Sequence, residues 1–426
     1  MDQSLDSWLI VPILIKAGEL PPVSQISTRY LLHMSKLRLL VDSVWRLTWE
    51  SREAVHIEEL FVPFNPWREG DLCIPSLARH LENPEPGSRF KLILSPGEYL
   101  PQYQTDKEYN FALESFAAGA RLPHLGRFYP KHLLMGYFGN PTPFRCLGRQ
   151  DGKFTADFNH PLAGQFLTLE VIVREIKQKR GEKGGECLDW LDILTTGPGI
   201  QKRWQGVPTD FFADDPFHRD DEGDDRGFFT QPRLVSHIDT RAQAAIAALY
   251  SLLLKPGMAV LDLMSSWQSH LPHGLDLSSL VGLGMNAEEL KHNPQLTSHL
   301  IHDLNQDPGL PFADGQFDAV ICNLSVEYLV KPFEVFAEVA RILRTGGLFI
   351  QTFSHRWFPP KVVKIWTELH EFERVGLVLE YFLRSGAFGD LKTFSSRGWP
   401  RPQTDRYYPR MRLSDPVYAV WGEKLA

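Results

Sequence analysis

The stretch that decides the fold is PGMAVLDL, residues 256–263. Its Pro-Gly pair marks a tight turn, and the apolar run that follows carries an acidic residue, Asp262, near its end. A short apolar run of this kind predicts a strand buried on both faces, as in a parallel sheet covered by helices. Because ligands of such sheets bind at the carboxyl ends of the strands, we expect Asp262 to border a binding site.

Further strand-like runs and helical patterns alternate around this stretch. Strands are predicted at 259–263, 280–284, 317–322 and 348–353, and helices at 242–254 and 332–343. This alternation predicts an α/β, doubly wound parallel sheet in the C-terminal part of the chain.

The N-terminal part has a different texture, with short strand-like runs separated by Pro/Gly turns. Strands are predicted at 37–41, 44–49, 90–94 and 166–173. In the last of these, FLTLEVIV, leucine and valine alternate with the other residues at period two. This part is therefore predicted to be a compact antiparallel β domain.

Composition narrows the class of protein. The net charge is −7, so the chain lacks the positive charge that nucleic-acid binding requires. The 4 cysteines form no C-x-x-C pair and suit a reducing compartment. The apolar run at 8–15 is too short to span a bilayer and follows Asp2 and Asp6, where a signal peptide would be positive. We expect a soluble cytoplasmic protein that binds neither nucleic acid nor membrane and has no metal site.

Two charged stretches lie between the two parts. Residues 177–186, KQKRGEKGGE, have the composition of a linker. Residues 214–225, DDPFHRDDEGDD, are acidic. Cation binding is one interpretation, but a solvated loop is favoured because calcium loops need ligands at fixed offsets around a turn glycine.

Several strings in the C-terminal part match one family. These are LDLMSSW (261–267), GLGMNAEEL (282–290), DLNQD (303–307), E-x-x-R-x-L-x-x-G-G (338–347) and SDPVYAVWG (414–422). Together they resemble the class I S-adenosylmethionine-dependent methyltransferases, and within them a poorly characterised methyltransferase-like family of bacteria and plants. The resemblance implies S-adenosylmethionine as cofactor.

The resemblance also implies roles for residues at the strand ends. An acid placed like Asp262 helps to hold the amino group of the cofactor. An acid placed like Asp303 accepts the adenine amino group, flanked by Leu304. Asn323, at the end of the next strand, is assigned to the same site.

Two departures from the family pattern concern the cofactor. Gly284 stands where the family usually has an acid that grips the ribose, so Asn286 or Glu288 would have to reach it. Helix capping explains Asn286 equally well. The loop at 264–270 contains no glycine. Either its residues build a modified cofactor pocket, or its side chains fill the site and the fold is a scaffold.

In the first of these interpretations the loop residues Met264, Ser265 and Trp267 contact the cofactor. Trp267 would stack on its methionine or adenine portion, although packing in the core accounts for this tryptophan equally well.

Catalysis of methyl transfer rests mainly on positioning, because the methyl group of the cofactor is already activated. A general base is needed only for poor nucleophiles. His237 and Glu327 are the candidate catalytic residues, with His270 and His355 as further ones; each is also explained by a structural role. His237 precedes the first helix and would cover the site.

The N-terminal part resembles a second family. IPSLARHL (74–81), GEYLPQY (97–103) and NHPLAGQ (159–165) resemble the FKBP-type prolyl isomerases, in particular their SlyD-like branch. The resemblance implies a flap inserted at 121–155 that holds unfolded substrate. It also implies an apolar pocket, to which Ile74, either Tyr99 or Tyr103, Leu169 and Asp42 correspond. Leu169 replaces a usual phenylalanine and Asp42 matches only approximately, so a substrate- or partner-binding module is favoured over an isomerase.

The resulting prediction has four segments: an N-terminal extension (1–35), an FKBP/SlyD-like β domain with its flap (36–177), a linker with the acidic loop (178–235) and a methyltransferase-like domain (236–426). The predicted function is methyl transfer to an unidentified protein, peptide or small-molecule acceptor. The alternative is a chaperone-like binding protein or weak prolyl isomerase on a non-catalytic methyltransferase scaffold.

Overall fold

The structure is a computed structural model that describes residues 39–66, 77, 80, 84–117, 122–178 and 187–426. The predicted N-terminal extension and Ile74 lie outside the described residues. Within them, no helix is both long and apolar enough to cross a membrane.

The described residues form fifteen strands, which are β1 (Leu39–Glu50), β2 (Val55–Phe64), β3 (Arg89–Leu94), β4 (Glu108–Ala112), β5 (Phe128–Pro130), β6 (Pro143–Gln150), β7 (Lys153–Asp157), β8 (Leu167–Gln178), β9 (Ala259–Leu263), β10 (Ser279–Gly284), β11 (Ser298–Ile301), β12 (Phe317–Asn323), β13 (Leu343–Phe353), β14 (Phe388–Arg397) and β15 (Val417–Lys424). The α-helices among them are α1 (Trp190–Thr195), α2 (Asp225–Phe229), α3 (Thr240–Leu253), α4 (Ala287–Lys291), α5 (Pro332–Ile342), α6 (Lys364–Glu368) and α7 (Glu371–Ser385). Single 3₁₀ turns lie at Thr105–Lys107, Leu113–Ser115, Lys131–Leu133 and Val326–Tyr328.

The C-terminal strands form the predicted doubly wound sheet. Their order is β11-β10-β9-β12-β13-β15-β14, and all neighbours are parallel except those of β15, which is antiparallel to both. Adjacent residues of the central strand β12 belong to different cores, Val320 to the one that contains α5 and α7 and Ile321 to the one that contains α3. Helices therefore cover both faces of the sheet, and the predicted α/β fold is confirmed for this part of the chain.

The N-terminal strands continue the same sheet. Beyond β14 the order runs β2-β1-β8-β3, with β14 and β2 parallel and the others antiparallel, so that one sheet has 11 strands. At the junction, His56 Nδ1 lies 2.8 Å from Thr393 Oγ1. Buried Glu58 accepts hydrogen bonds from Ser395 Oγ and, at 2.7 Å, from Gln201 Nε2. Burial raises the pKa of Glu58. The two parts of the chain therefore share a continuous hydrogen-bonded sheet.

A second sheet, β4-β7-β6-β5, includes most of the segment predicted as a flap. It is attached to α7 of the C-terminal part through a buried ion pair. Arg127 Nε donates to Glu373 Oε1 at 3.1 Å, and the Phe128 backbone N–H donates to the same oxygen at 2.8 Å. The FKBP/SlyD-like identity of the N-terminal part stays a prediction.

Candidate functional site

A cavity lies at the carboxyl ends of β9, β10, β11 and β12. Its volume is about 1150 Å³, a figure that includes open solvent at its mouth. The nine residues predicted to bind the cofactor all line it: Asp262, Met264, Ser265, Trp267, Gly284, Asn286, Asp303, Leu304 and Asn323. They come from separate strand ends, which the parallel topology brings to one edge of the sheet. Their role in binding a cofactor stays a prediction.

Asp262 is the buried acid at the floor of this cavity. Ser265 Oγ and Ser269 Oγ each donate to its Oδ2 at 2.6 Å, and Asn323 Nδ2 donates to its Oδ1 at 3.4 Å. Burial raises its pKa to about 6, although these hydrogen bonds favour the ionised form. The carboxylate is therefore held in one orientation. The amide of Asn323 is fixed in turn by Tyr250, whose hydroxyl donates to its Oδ1 at 2.5 Å.

The loop without glycine turns by placing ordinary residues in the left-handed region. Met264 and His270 both have φ of 55°. The backbone N–H of Ser265 donates to the Leu283 carbonyl at 2.8 Å and thereby holds the loop against the end of β10. A Cβ on Gly284 would lie well within 3.0 Å of the Ser265 carbonyl oxygen. The space that a side chain would need at the end of β10 is thus occupied by the loop backbone.

Asn286 forms the N-cap of α4. Its Oδ1 accepts from the N–H groups of Glu288 and Glu289 at 3.0 and 3.1 Å. Its Nδ2 donates to the carbonyls of Phe229 and Thr230 at 2.8 and 3.1 Å. The capping role, one of the two alternatives considered from the sequence, is therefore observed. The other alternative for the ribose, the side chain of Glu288, is exposed and pairs with a lysine.

Asp303 and Leu304 follow β11. Leu304 is buried and supplies an apolar wall. Asp303 Oδ1 accepts from the N–H groups of Asn305 and Gln306 at 3.0 and 3.3 Å. Among the described residues, no donor occupies the second oxygen of Asp303. It therefore remains an acceptor that faces the cavity.

The acidic stretch 214–225 lies beside the cavity and corrects one expectation. Most of its residues are exposed or half-buried, as in a solvated loop, but Arg219 in its middle and Asp225 at its end are buried. Arg219 Nη1 lies 2.8 Å from Asp225 Oδ1, and the fully buried Lys361 Nζ lies 3.1 Å from the same oxygen. Lys361 also donates to the Gly223 carbonyl at 2.8 Å. The end of the stretch is therefore a packed wall that is neutralised by cations of the chain itself.

The structure places two of the three candidate histidines, His237 and His270, in the lining of the cavity and leaves His355 outside it. His237 is at the mouth, with its ring edge-on to Phe358 at 5.2 Å between centroids, and partial burial lowers its pKa. His270 lines the interior, and burial lowers its pKa to about 4. Both are neutral at physiological pH and able to accept a proton. His355 is outside the cavity lining and pairs with Asp415 at 3.2 Å.

Glu327 does not line the cavity, so the geometry gives no support to its selection as a catalytic base. It is buried in the 3₁₀ turn after β12, and among the described residues neither carboxyl oxygen has a hydrogen-bond partner. Burial raises its pKa to about 8, so the carboxyl is protonated at neutral pH. A protonated acid outside the cavity cannot act as the base there.

Sequence reasoning missed several residues that line the cavity, above all Arg233, Tyr328 and Asn305. Arg233 lies in the segment before α3, which was predicted to cover the site through His237, but no contact was assigned to the arginine. Asn305 Nδ2 donates to Asp225 and to the Tyr328 carbonyl, both at 2.9 Å. It therefore ties the acidic wall to the turn after β12. The DLNQD string, which contains Asn305, was the available signal for this residue.

Residues 272–351 match the model of the methyltransferase domain family. This match supports a class I S-adenosylmethionine-dependent methyltransferase domain in the C-terminal part of the chain. Its relatives include a demethylmenaquinone methyltransferase of Renibacterium salmoninarum, 32% identical over 111 residues. They also include a fatty-acid O-methyltransferase of Mycolicibacterium smegmatis, 44% identical over 80 residues.

These alignments cover 25% and 18% of this chain, and 45% and 27% of the respective relatives, so the chain spans less than half the length of either. Among solved structures, an S-adenosylmethionine-dependent methyltransferase of Mesorhizobium loti is 16% identical with a TM-score of 0.29, and the alignment covers 42% of this chain and 96% of that one.

The residues singled out in the N-terminal part occupy different environments. Tyr103 donates from its hydroxyl to Glu108 at 2.7 Å. Tyr99 packs against the apolar core between β1, β2 and β8, in which Leu169 is fully buried. Asp42 is paired with Lys177. Hence these side chains are held within the fold, and none of them lines the cavity of the methyltransferase domain.

Proposed function

We propose that this protein is a cytoplasmic S-adenosylmethionine-dependent methyltransferase. The observation that carries the proposal is the convergence of the nine predicted cofactor residues on one cavity at the strand ends of the methyltransferase domain. The cavity combines apolar walls with carboxylates and amides, a set that suits a nucleoside joined to an amino acid. The cofactor supplies an activated methyl group, and the residues of the chain bind, orient and shield the reactants.

The mouth of the cavity is the proposed entrance for the acceptor. His237 and Phe358 border it, and His237 is the proposed general base for an acceptor that must lose a proton. The two curated relatives are named for demethylmenaquinone and fatty acids, which supports a small molecule among the three predicted classes of acceptor.

Cofactor binding is tested by isothermal titration of the full chain with S-adenosylhomocysteine. The sharpest variant is Asp303→Asn, because its amide oxygen still accepts the turn N–H groups while its NH₂ cannot accept the adenine amino proton. We expect micromolar binding by the wild type and a loss of about tenfold in the variant. Asp307→Ala, an exposed change in the same loop, is the control. If the wild type does not bind S-adenosylhomocysteine, the proposed methyltransferase function is refuted.

A partner-binding role of the N-terminal part is supported by its second sheet. The connection between β5 and β6 exposes Phe138 and Met135, with 86% and 63% of their surfaces open to solvent. Exposed apolar side chains at one tip are suited to binding an unfolded or extended polypeptide. The test is suppression of aggregation of a reduced, unfolded protein by wild type and by Phe138→Ser. A prolyl-peptide assay with Tyr99→Ala addresses isomerase activity.

A further inference from the structure

The charges that line the cavity are unequally satisfied. Its four carboxylates, those of Asp225, Asp262, Asp303 and Glu289, all accept hydrogen bonds from groups of the protein. The guanidinium of Arg233 has no carboxylate within ion-pair distance among the described residues. It donates to the Phe228 carbonyl at 3.1 Å, and its other donors have no partner in the described part of the chain.

Aromatic rings hold this guanidinium in place. Its central carbon lies 4.6 Å from the ring centroid of Phe228, 5.7 Å from that of Phe229 and 5.0 Å from that of Phe358. The backbone of Arg233 is fixed as well, because its N–H donates to Glu289 at 2.7 Å. Contact with ring faces stabilises a cation without neutralising it. An arginine held in this way keeps a donor fork whose geometry matches a carboxylate.

We propose that Arg233 is the carboxylate-binding side chain of this cavity. The proposal rests on the proposed methyltransferase function and names the recognition chemistry of the same site. Two carboxylates can occupy it: that of the methionine portion of the cofactor, or that of an acidic acceptor. In either case the bound carboxylate is the ion-pair partner that the described residues do not supply to Arg233.

The experiment compares two nucleosides in titrations of the full chain. S-adenosylhomocysteine carries the carboxylate, whereas 5′-methylthioadenosine has the same adenosine and thioether without it. The variants are Arg233→Met, which keeps an unbranched apolar stem but removes the charge, and Arg233→Lys, which keeps a point charge. Arg226→Met is the matched control, since Arg226 is an exposed arginine of the neighbouring α2 and does not line the cavity.

If the carboxylate of the cofactor is bound, Arg233→Met lowers the affinity for S-adenosylhomocysteine about tenfold or more and leaves that for 5′-methylthioadenosine unchanged. Arg233→Lys then retains part of the affinity, and Arg226→Met retains all of it. If the acceptor carboxylate is bound, both nucleosides bind Arg233→Met normally. Sodium laurate then binds the wild type but not Arg233→Met, and dodecanol shows no such difference.

An Arg233→Met protein that matches the wild type toward S-adenosylhomocysteine and laurate overturns the proposal. A wild type that binds neither nucleoside instead refutes the proposed function, and the laurate titration still decides the role of Arg233.

Discussion

Replacing Gly284 by alanine tests the packing of the loop without glycine against the end of β10. The new Cβ would lie well within 3.0 Å of the Ser265 carbonyl oxygen and 3.2 Å from the Ser265 carbonyl carbon, both of which are backbone atoms. The loop must therefore move, which weakens the bond from the Ser265 N–H to the Leu283 carbonyl. Overpacking costs roughly 1–3 kcal/mol and a lost hydrogen bond about 1 kcal/mol, so we expect a total of about 2–4 kcal/mol.

The measurement is urea unfolding of Gly284→Ala together with titration by S-adenosylhomocysteine. Gly282→Ala on the same strand is the control, because its Cβ would meet Leu296 Cδ1, the flexible end of a side chain, at 2.5 Å. We expect Gly284→Ala to lose much more stability than Gly282→Ala. We also expect it to bind S-adenosylhomocysteine more weakly than the wild type does. A Gly284→Ala protein as stable as Gly282→Ala, with wild-type binding, would refute the reasoning that the loop backbone fills this space.

Three further changes probe buried charges elsewhere in the fold. Burial raises the pKa of Glu327 to about 8, so the carboxyl stays protonated in the folded protein at a pH where it is already ionised in the unfolded chain. The stability of the native state therefore falls as the pH rises from about 5 to 8, and Glu327→Gln, which cannot ionise in either state, should gain on the wild type by up to roughly 1.4 kcal/mol per pH unit. A gap in urea unfolding that is equal at pH 5.5 and pH 8 would contradict this. Lys361→Met leaves Asp225 without one of its cations and should lower the free energy of unfolding by roughly 3–5 kcal/mol. Amide hydrogen exchange at residues 219–225 should become faster. Unchanged exchange would count against the packed wall. Arg127→Met should lower the free energy of unfolding by a similar amount, because it leaves the buried Glu373 carboxylate unpaired. The double variant Arg127→Met with Glu373→Met should recover most of that loss. Additive losses from the two single changes would contradict a coupled buried pair.

The C-terminal fold follows closely from the sequence because its signals are local. The apolar run at 259–263 is found as β9, and the predicted helix at 332–343 is found as α5, ending one residue earlier. The signature pair Glu338 and Arg341 meets at 2.8 Å on one helical face, as its spacing of three requires. Strands β14 and β15 were not predicted. The pairing that defines β14 joins it to β2, over three hundred residues earlier in the chain, which no local pattern encodes.

The site was predictable where it follows strand ends and not where it depends on tertiary packing. Asp262 was selected because ligands bind at the carboxyl ends of parallel strands, and Asp303 was selected because its string resembles that of the family. The protonation of Glu327 could not be predicted from its place after β12, because it depends on burial. Arg233 was missed because its contacts with Phe228 and Phe358 form only when the segment before α3 folds over the cavity.

The parallel pairing of β14 with β2 determines whether the chain can be divided into pieces that fold separately. Residues 392–397 pair with residues 55–60, so a chain cut between 178 and 187 would consist of two pieces held by a backbone ladder. Either piece expressed alone would present a bare row of amide and carbonyl groups, a template for polymerisation rather than a separate domain. The N-terminal segment is thus structurally inseparable from the C-terminal fold, closer to a split-protein fragment than to an appended module.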